Sequence, residues 1–483
     1  MTRHLFFALS LLSFLALAQV PGLPTRSTSS SSSSSGTSEC VALDGGVCAT
    51  TATMTLYVDP TGSNSNACTA SGTSACATLA GALAKLPRII RHATTVNVAA
   101  GTYAEVAAVS GFIIDKGITL AITGTTAQRT PTTGNVTGSV TASSTWSATA
   151  APSITDSTQS WTANDLKGTF IKFTSGSLNG QAFPIQSNTA TTLTAPFGSS
   201  AVTVGVTYEL VTIAAIFTSS SSHAFGGLGG GGTLAFSFVR IERSTGGTWG
   251  NAATSDSSSV TCTSCDIRGT TTASSVAMSL TNGALTTTRS YFVSASNVSS
   301  PAAASSNVGR WTATSCYFRG TGNGGALSSS STNTAILNSI LEATSAGTQP
   351  VWEILGGVNS MTSMRIECAA SVYALGLAAT ALGVSARTTV LGLSVNGCSY
   401  GLIASRDTHI DVSTSGGNYV GFNSTTTGVA VQAGGTVNLN TWTPTFSGVT
   451  NELQVDATNY TFSTLSGLTP GLIQGPYGSS IFK

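Results

Sequence analysis

The sequence predicts an all-β fold, a right-handed single-stranded parallel β-helix with an N-terminal helical cap and an inserted small β module. Apolar residues recur at intervals of 23 to 27 residues along its second half, a period typical of solenoids. The text Ser-Cys-Asp-Ile-Arg-Gly-Thr at 264–270 returns as Ser-Cys-Tyr-Phe-Arg-Gly-Thr at 315–321. Abundant Ser, Thr, Gly and Val exclude a helical solenoid. The recurring apolar anchors are Ile241, Ile267, Phe292, Phe318, Leu341, Ile366 and Leu393.

The amino-acid composition argues against nucleic-acid, metal and cofactor binding. Only 8% of the 483 residues are charged and the formal net charge is +1, whereas ordinary domains contain roughly 25% charged residues. No Lys/Arg cluster is present, so nucleic acid is excluded as a partner. Cys262 and Cys265 form a Cys-x-x-Cys without a second pair at metal-ligand spacing. We therefore expect no metal site and no cofactor.

The N-terminus predicts export. Arg3 and His4 precede an apolar run that ends in Ala-Leu-Ala at 16–18, the pattern of a signal peptide over residues 1–18. The run is shorter than the roughly 20 residues of a membrane span, and no later segment is apolar enough to form one. Residues 19–54 read as a Ser/Thr-rich flexible linker. A secreted, extracellular or cell-surface protein is expected.

Residues 55–125 are predicted to form the N-terminal cap and the first coils. Thr55–Pro60 reads as a strand that ends in a turn, and apolar residues at helical spacing predict a helix over Thr78–Ile90 with Thr78 as its N-cap. The order of Tyr-Val-Asp-Pro-x-Gly, a Cys/Ser-rich loop, this helix, a strand and Ala-Ala-Gly-Thr-Tyr resembles the start of pectin-lyase-like β-helix proteins. The resemblance implies that the helix plugs the open end of the solenoid.

Residues 126–212 are predicted to form an inserted β module. The pattern changes here to short polar strands such as 156–161, 168–173 and 188–194, and it resembles insertions in phage tail proteins and bacterial surface β-helices. The Gly-rich stretch 226–232 is not followed by the helix and Lys of a phosphate cradle. It reads as a hinge back into the solenoid body and C-terminal coils, residues 213–483.

The nine cysteines leave at least one thiol unpaired. Export permits disulfides, and two small loops suggest pairs whose connectivity the sequence leaves open: Cys40 with Cys48 and Cys68 with Cys76. Cys265 and Cys316 point inward two coils apart, roughly 9 to 10 Å, which no disulfide spans. Both are expected to be buried free thiols.

Alternation along each strand assigns the neighbours of the anchors to one outer face. In a chain so poor in charge, this face concentrates planar hydrogen-bonding groups and Tyr rings that suit a polysaccharide or cell-surface glycan. The alternative is a set of exposed cross-strand ion pairs, each contributing a few tenths of a kcal/mol. The candidate ligand-binding residues are Arg240, Glu242, Asp266, Arg268, Tyr291, Tyr317, Arg319 and Arg365.

Two carboxylate clusters are candidate catalytic sites. Glu342 and Glu367 lie on neighbouring coils, near the roughly 5 Å separation of a retaining glycosidase, unless adjacent arginines neutralise them. Asp407, His409 and Asp411 would share the outer side of one strand as an acid/base or cation site. A solvated strand end is the alternative for this second cluster.

The family resemblance extends to the fold and not to an active site. Pectin-lyase-like enzymes typically carry aspartate runs for calcium, an Arg base, or paired aspartates with Gly-His-Gly; none of the four histidines lies in Gly-His-Gly and no Asp-Asp occurs. We therefore expect a structural or adhesive glycan-binding protein, with a polysaccharide lyase or glycoside hydrolase as the alternative. A homotrimer stays open, because trimerisation requires an apolar outer stripe that the sequence does not identify.

Overall fold

The computed structural model describes residues 40–42, 48–221, 223–226, 228–243, 251–269, 277–294, 304–306, 309–321, 325–329, 332–344, 350–354, 356–368, 386–405, 408–413, 420–423, 427–432, 436–438, 445–455 and 473–474. All of them belong to one compact unit, Ser38–Lys483. The predicted signal peptide, most of the predicted linker and the candidate residue Asp407 lie outside the described residues. Within the described part, no helix has the length and apolar composition needed to cross a membrane.

The solenoid body is a parallel β-helix, as the repeat predicts. Strands of successive coils pair in parallel and in register, so each coil adds strands to three faces. The first face contains Met54–Val58, Thr94–Val98, Thr119–Thr123, Thr233–Ser237, Gly309–Thr314, Thr332–Leu337, Thr408–Ser413 and Thr436–Asn438. The second contains Gly101–Tyr103, Ala215–Ser219, Val239–Arg243, Asp266–Arg268, Tyr291–Ser294, Tyr317–Gly320, Ile340–Ala343, Val420–Asn423 and Thr445–Ser447. The third contains Ala108–Val109, Ala224–Gly226, Ala304–Ser306, Leu327–Ser329 and Trp352–Ile354.

Four long strands continue across a corner. Asn251–Thr263 and Met278–Thr288 run from the third face into the first, while Gly357–Cys368 and Ala386–Asn396 run from the first into the second. A further parallel set near the C-terminus contains Tyr400–Ser405, Thr427–Gln432, Asn451–Val455 and Ile473–Gln474. At the N-terminus, Cys40–Ala42, Cys48–Thr50, Ile89–Ile90 and Ile113–Ile114 form a small sheet.

A single residue in the left-handed region makes the corner between the first and second faces. Its backbone N–H donates to the adjacent coil, as in Ser264 to the Thr288 carbonyl at 2.9 Å and Asn338 to the Thr362 carbonyl at 2.8 Å. A non-glycine residue in this conformation costs roughly 1–2 kcal/mol, and the repeated hydrogen bond offsets that cost. The corner residues with positive φ are Phe238, Ser264, Arg289, Ser315, Asn338, Ser363 and Gly392.

The corner residues explain one error in the predicted register. The anchors from Ile241 to Ile366 pair as predicted, but Ile366 pairs with Val395, and Leu393 pairs with Met364. The corner residue Gly392 lies three positions before Val395, as every other corner residue does before its anchor. The predicted partner of Ile366 was therefore wrong by two residues. The sequence pattern does not reveal such an error, because a shift of two residues preserves the alternation of inward and outward side chains.

The anchors stack inside the solenoid. All six from Ile241 to Ile366 are fully buried, and the rings of Phe292 and Phe318 stack at 4.8 Å between centroids. The prediction of buried free thiols is confirmed for Cys265 and Cys316. Ser290 occupies the same column, where its hydroxyl accepts from the Cys265 N–H at 3.1 Å and donates to the Thr288 carbonyl at 3.0 Å. The buried hydroxyl is therefore satisfied.

The N-terminal helix is shorter than predicted. It spans Leu79–Leu83, and the Thr78 hydroxyl caps it by accepting from the Gly81 N–H at 3.0 Å. The Glu105 carboxylate accepts from the first two helical N–H groups, at 2.7 and 3.2 Å. The helix cannot continue to Ile90 because the residue before Pro87 is disfavoured in the helical region, and Ile89–Ile90 is a strand instead. A short 3-10 turn, Gly72–Ser74, precedes the helix.

Two disulfides join pairs of cysteines that both lie among the described residues. Cys68 pairs with Cys76, one of the pairs suggested by the sequence, and Cys368 pairs with Cys398, which sequence reasoning missed. Cys48 is also disulfide-bonded. Disulfides of this kind stabilise chiefly by restricting the unfolded chain.

Residues 126–213 leave the solenoid between the first-face strand Thr119–Thr123 and the second-face strand Ala215–Ser219. They contain two antiparallel sheets with a shared apolar core around Trp161, Ile171 and Phe173. We call this segment the module. One sheet contains Thr126–Gln128, Thr137–Ser139, Phe170–Phe173, Ala182–Pro184 and Thr207–Ile213. The other contains Ala142–Ser144, Ser153–Thr155, Ser187–Asn188 and Thr192–Thr194, and the 3-10 turn Gly176–Leu178 lies between strands.

A buried carboxylate organises the module core. Asp156 accepts hydrogen bonds from the Tyr208 hydroxyl at 2.7 Å, the Thr158 hydroxyl at 2.7 Å and the Ser139 N–H at 3.0 Å. Burial alone would raise the pKa of Asp156, but the hydrogen bonds from Thr158, Tyr208 and Gln159 outweigh it and lower the pKa to about 2. The ionised carboxylate is thus the form that the folded module stabilises.

This pKa predicts an acid-sensitive module. The folded pKa lies below the usual value of 3.8, so the stabilisation of about 2 kcal/mol is present above pH 4 and lost as the pH falls towards 2. We expect Asp156→Asn to be less stable at pH 7 and to show a weaker loss of stability between pH 4 and 2. Urea unfolding followed at several pH values measures both. Identical pH dependence in the two proteins would contradict the assignment.

Candidate functional site

The module covers much of the predicted ligand-binding face. Tyr291 and Tyr317 stack on each other at 5.1 Å between ring centroids, on the outer side of the second face as the register predicts. The structure corrects the expected exposure, because these side chains are only 2% and 0% accessible. They form an apolar cluster with Ile340 and with module residues Trp146, Ala151, Phe170, Ala182, Val211 and Ile213.

Glycine permits the close approach of the module. Gly168 has φ +77°, and a Cβ atom placed on it would lie 3.1 Å from the Tyr291 ring. Two other contacts extend this interface between the module and the second face, which we call the seam. The Ser264 hydroxyl donates to the Ala182 carbonyl at 3.0 Å, and the Arg289 guanidinium lies 5.7 Å from the centre of the Phe183 ring. The stacked Tyr rings are therefore part of an internal interface, not an open platform.

Glu342 binds the module through an ion pair. Lys167 Nζ donates to Glu342 Oε1 at 2.5 Å, and the Tyr317 hydroxyl donates to Oε2. Burial and the adjacent carboxylate raise the pKa of Tyr317 well above its ordinary value, so this hydroxyl keeps its proton and remains a donor. Arg319 Nε lies 4.0 Å from Oε1. Both oxygens of this buried carboxylate are engaged.

Glu367 pairs in register with Glu342, as predicted, but it is neutralised separately. Arg365 Nε donates to Glu367 Oε1, and Asn396 Nδ2 donates to Oε2 at 2.8 Å. Arg365 also donates from Nη1 to the Thr149 carbonyl of the module at 2.6 Å. In the structure, therefore, basic residues neutralise both carboxylates. The close partner of Glu342 is Lys167, which the sequence did not indicate.

Beside the covered rings, a partly exposed row of charge remains, which we call the charged strip. Arg268 donates from Nε and Nη2 to the two oxygens of Asp266, both at 2.8 Å. Burial would lower the pKa of Arg268, but the attraction of Asp266 outweighs it and raises the pKa. The charged strip consists of Arg240, Glu242, Asp266, Arg268 and Arg319.

The charged strip has unused hydrogen-bonding capacity. Arg240 donates from Nη2 to Glu242, while its Nε and that of Arg319 are buried without a hydrogen-bond acceptor among the described residues. Buried donors of this kind are rare in folded proteins. Each of these Nε atoms lies at ion-pair distance from a carboxylate, Arg240 at 3.9 Å from Asp266 and Arg319 at 4.0 Å from Glu342. The rest of each arginine side chain is about a quarter exposed.

A second cluster lies on the outer side of the first face, near the C-terminal coils. Asp411 Oδ1 lies 2.8 Å from His409 Nε2, and Asp411 Oδ2 accepts from Arg387 Nε and Nη2 at 3.1 and 3.0 Å. Arg387 and His409 pair in register on adjacent coils. The shared outer side of His409 and Asp411 was predicted, whereas Arg387 was missed because the regular period did not extend to this cluster. Asp407 lies outside the described residues.

No known protein family matches the sequence, and no curated protein sequence matches it. Among solved structures, the tailspike gp61 of Pseudomonas phage phi297 is 13% identical, with 80% of this chain and 72% of that chain covered at a TM-score of 0.27. The tailspike gp49 of Pseudomonas phage LKA1 is 10% identical (89% and 72% covered, TM-score 0.28), and a glycoside hydrolase is 8% identical (83% and 95%, TM-score 0.23). The chain is a parallel β-helix protein. The parallel strand pairing described above, not these similarities, defines that fold.

The Lys167–Glu342 pair predicts a specific weakness. Lys167→Ala leaves a buried carboxylate without its ammonium partner, which costs about 3 kcal/mol. We expect the module to separate from the second face and Tyr291 and Tyr317 to become reactive towards a tyrosine-nitrating reagent, as read by peptide mass spectrometry.

Lys172→Ala is the matched control, because Lys172 pairs with Glu209 at 3.1 Å within the module. This more exposed pair contributes less than about 1 kcal/mol, so the two tyrosines should stay protected. Equal nitration in the two variants would contradict the role of Lys167.

Proposed function

We propose that this protein is a secreted or surface-displayed β-helix with a structural or adhesive role, which binds glycans along the charged strip. The observation that supports this most directly is the row of Arg240, Arg268 and Arg319, whose ion-paired side chains are 23%, 30% and 27% exposed. A ligand rich in hydroxyl or carboxylate oxygen would accept hydrogen bonds from the N–H groups of these side chains that reach the surface.

The dimensions of the charged strip suit an oligosaccharide segment. Arg240 and Arg319 are separated by three coil steps, roughly 14 Å at one strand spacing per coil. Between them, the bidentate Arg268–Asp266 pair fixes both side chains. A guanidinium has five N–H donors, so Arg268 retains donors for a sugar after its two bonds to Asp266. The Tyr rings contribute by supporting the strip, since the Arg268 guanidinium lies 5.8 Å from the Tyr291 ring centre.

Arg268→Ala tests this binding mode. Loss of hydrogen bonds from a charged donor costs about 1.5–3 kcal/mol, so glycan affinity on an array should fall about tenfold or more. Arg129→Ala is the matched control, because Arg129 on the module is also ion-paired, with Asp165 at 3.1 Å, and its side chain is 31% exposed against 30% for Arg268. Absence of any glycan bound by the unaltered protein, or equal binding by both variants, counts against the proposal.

The cluster of Arg387, His409 and Asp411 supports a second candidate, cleavage of a polysaccharide. Asp411 accepts from Arg387 and is hydrogen-bonded to His409 Nε2, while His409 Nδ1 has no partner among the described residues. A carboxylate that orients an imidazole is the arrangement of a general acid/base. The partly exposed ring is accessible to a substrate on the outer side of the first face.

Incubation with mixed polysaccharides tests this candidate, with reducing ends and unsaturated products followed in time. His409→Ala should abolish any activity, whereas His92→Ala should leave it unchanged, because His92 lies near the N-terminus against the Thr50 carbonyl. Activity that survives His409→Ala would remove this cluster from consideration.

A further inference from the structure

The corner at Ser264 places two cysteines inside the solenoid. Cys262 lies two residues before this corner residue and Cys265 lies one residue after it. Both side chains are buried in the apolar core, and the structure holds both as thiols. Among the described residues, no group of potential ligands is arranged for a metal ion. We call these two cysteines the corner pair.

The geometry of the corner brings the corner pair together. The chain changes direction at Ser264, from the long strand that ends at Thr263 to the second-face strand that begins at Asp266. Side chains that point inward on the two sides of such a turn converge in the interior angle of the coil. The Cys262 thiol accordingly hydrogen-bonds with that of Cys265. The two sulfur atoms therefore already face each other in the folded backbone.

The other corners show that this arrangement is particular to Ser264. At every corner, the residues two before and one after the corner residue are the equivalent inward positions. Among the described corners, Ser264 alone has cysteine at both. Cys316 follows the corner residue Ser315, but Ala313 is its counterpart, and its thiol donates to the Thr287 hydroxyl at 3.6 Å. Cys316 is thus an internal reference, a buried thiol without a second one across its corner.

The stacked coils protect the corner pair from reaction. Burial raises the pKa of Cys265 well above its ordinary value, and the neighbouring Cys262 thiol adds to this effect. Because the thiolate is the form that attacks a disulfide, exchange is suppressed in the folded protein. The next coil closes over the pair when Met278–Thr288 pairs with Asn251–Thr263. The redox state of the pair at that moment is the state that the folded solenoid keeps.

The other cysteines indicate that the chain folds in an oxidising compartment. Cys68 is joined to Cys76 and Cys368 to Cys398, and Cys48 is also disulfide-bonded. Such bonds form and persist where a disulfide oxidant is present. That oxidant can reach Cys262 and Cys265 while the chain is open, and closing so short a loop orders few residues.

We propose that the corner pair is an oxidative modification site, at which a disulfide forms across the corner before the next coil covers it. One thiolate attacks a protein or small-molecule disulfide and displaces one of its sulfurs as a thiol. The second cysteine then attacks the mixed disulfide and displaces the other sulfur. The corner pair loses two electrons and two protons, and the oxidant becomes two thiols. This site is independent of glycan binding.

Cysteine mapping of the full-length protein from an oxidising secretory compartment tests the proposal. The protein is alkylated in denaturant without reductant and then digested with trypsin, which leaves the corner pair in peptide 244–268 and Cys316 in peptide 311–319. We expect peptide 244–268 to be lighter than its dithiol form by two hydrogen atoms and to carry no alkyl group, whereas Cys316 carries one. Alkylation of both members of the corner pair would overturn the proposal, as would a link from either to Cys316.

Cys265→Ser and Cys316→Ser are matched variants, because serine already occupies this inward position at Ser290 and Ser339. Cys262 should become alkylated in Cys265→Ser, whereas Cys316→Ser should keep the disulfide of the corner pair. Thermal unfolding verifies that both variants fold. Loss of that disulfide in Cys316→Ser would contradict the assignment.

Reductant added to the unaltered protein tests the protection by the coils. The disulfide of the corner pair should stay closed in the folded protein and open in denaturant. Opening at the same rate under both conditions would contradict a bond that is sealed when the next coil stacks.

Discussion

The corner hydrogen bond between coils is the interaction on which every surface of this protein depends. At five successive corners, from Phe238 to Asn338, one residue in the left-handed region turns the chain from the first face to the second and donates its N–H to the adjacent coil. This bond fixes the position of each strand relative to the next. The apolar stack inside and the charge on the second face are columns only because this position repeats.

The module turns a charged surface into an interface. Residues far apart in sequence neutralise each other there, as Lys167 does for Glu342, and the Tyr rings lose their access to solvent. Burying ionised groups is costly unless they are paired and hydrogen-bonded, and the described partners meet that requirement for Glu342 and Glu367. What remains outside the seam is a narrow row of arginines and carboxylates whose geometry is already set.

The sequence predicts the repeat, the inward anchors and the outward columns because they follow from local alternation and a steady period. The sequence does not predict the exact pairing register, the residue at which a helix ends, or the distant segment that covers a surface. A slip of two residues at Leu393 preserves alternation and so cannot be detected from the pattern, and Pro87 ends a helix that spacing alone would extend. The burial of Tyr291 and Tyr317 was beyond prediction, because the covering side chains come from residues 146–213 and no local signal shows where the module folds back.

The place where the module leaves the solenoid has a consequence for how such a chain is assembled. The Ala214 N–H donates to the Thr125 carbonyl at 2.9 Å, so the two ends of the insertion meet within one strand spacing. Gly124 donates to the Ser237 carbonyl, the same bond that Phe238 makes one coil later to Thr263. Joining Gly124 directly to Ala215 would therefore restore an ordinary coil. The module is thus an insertion at a single corner, and the backbone hydrogen bonds of the frame close beneath it.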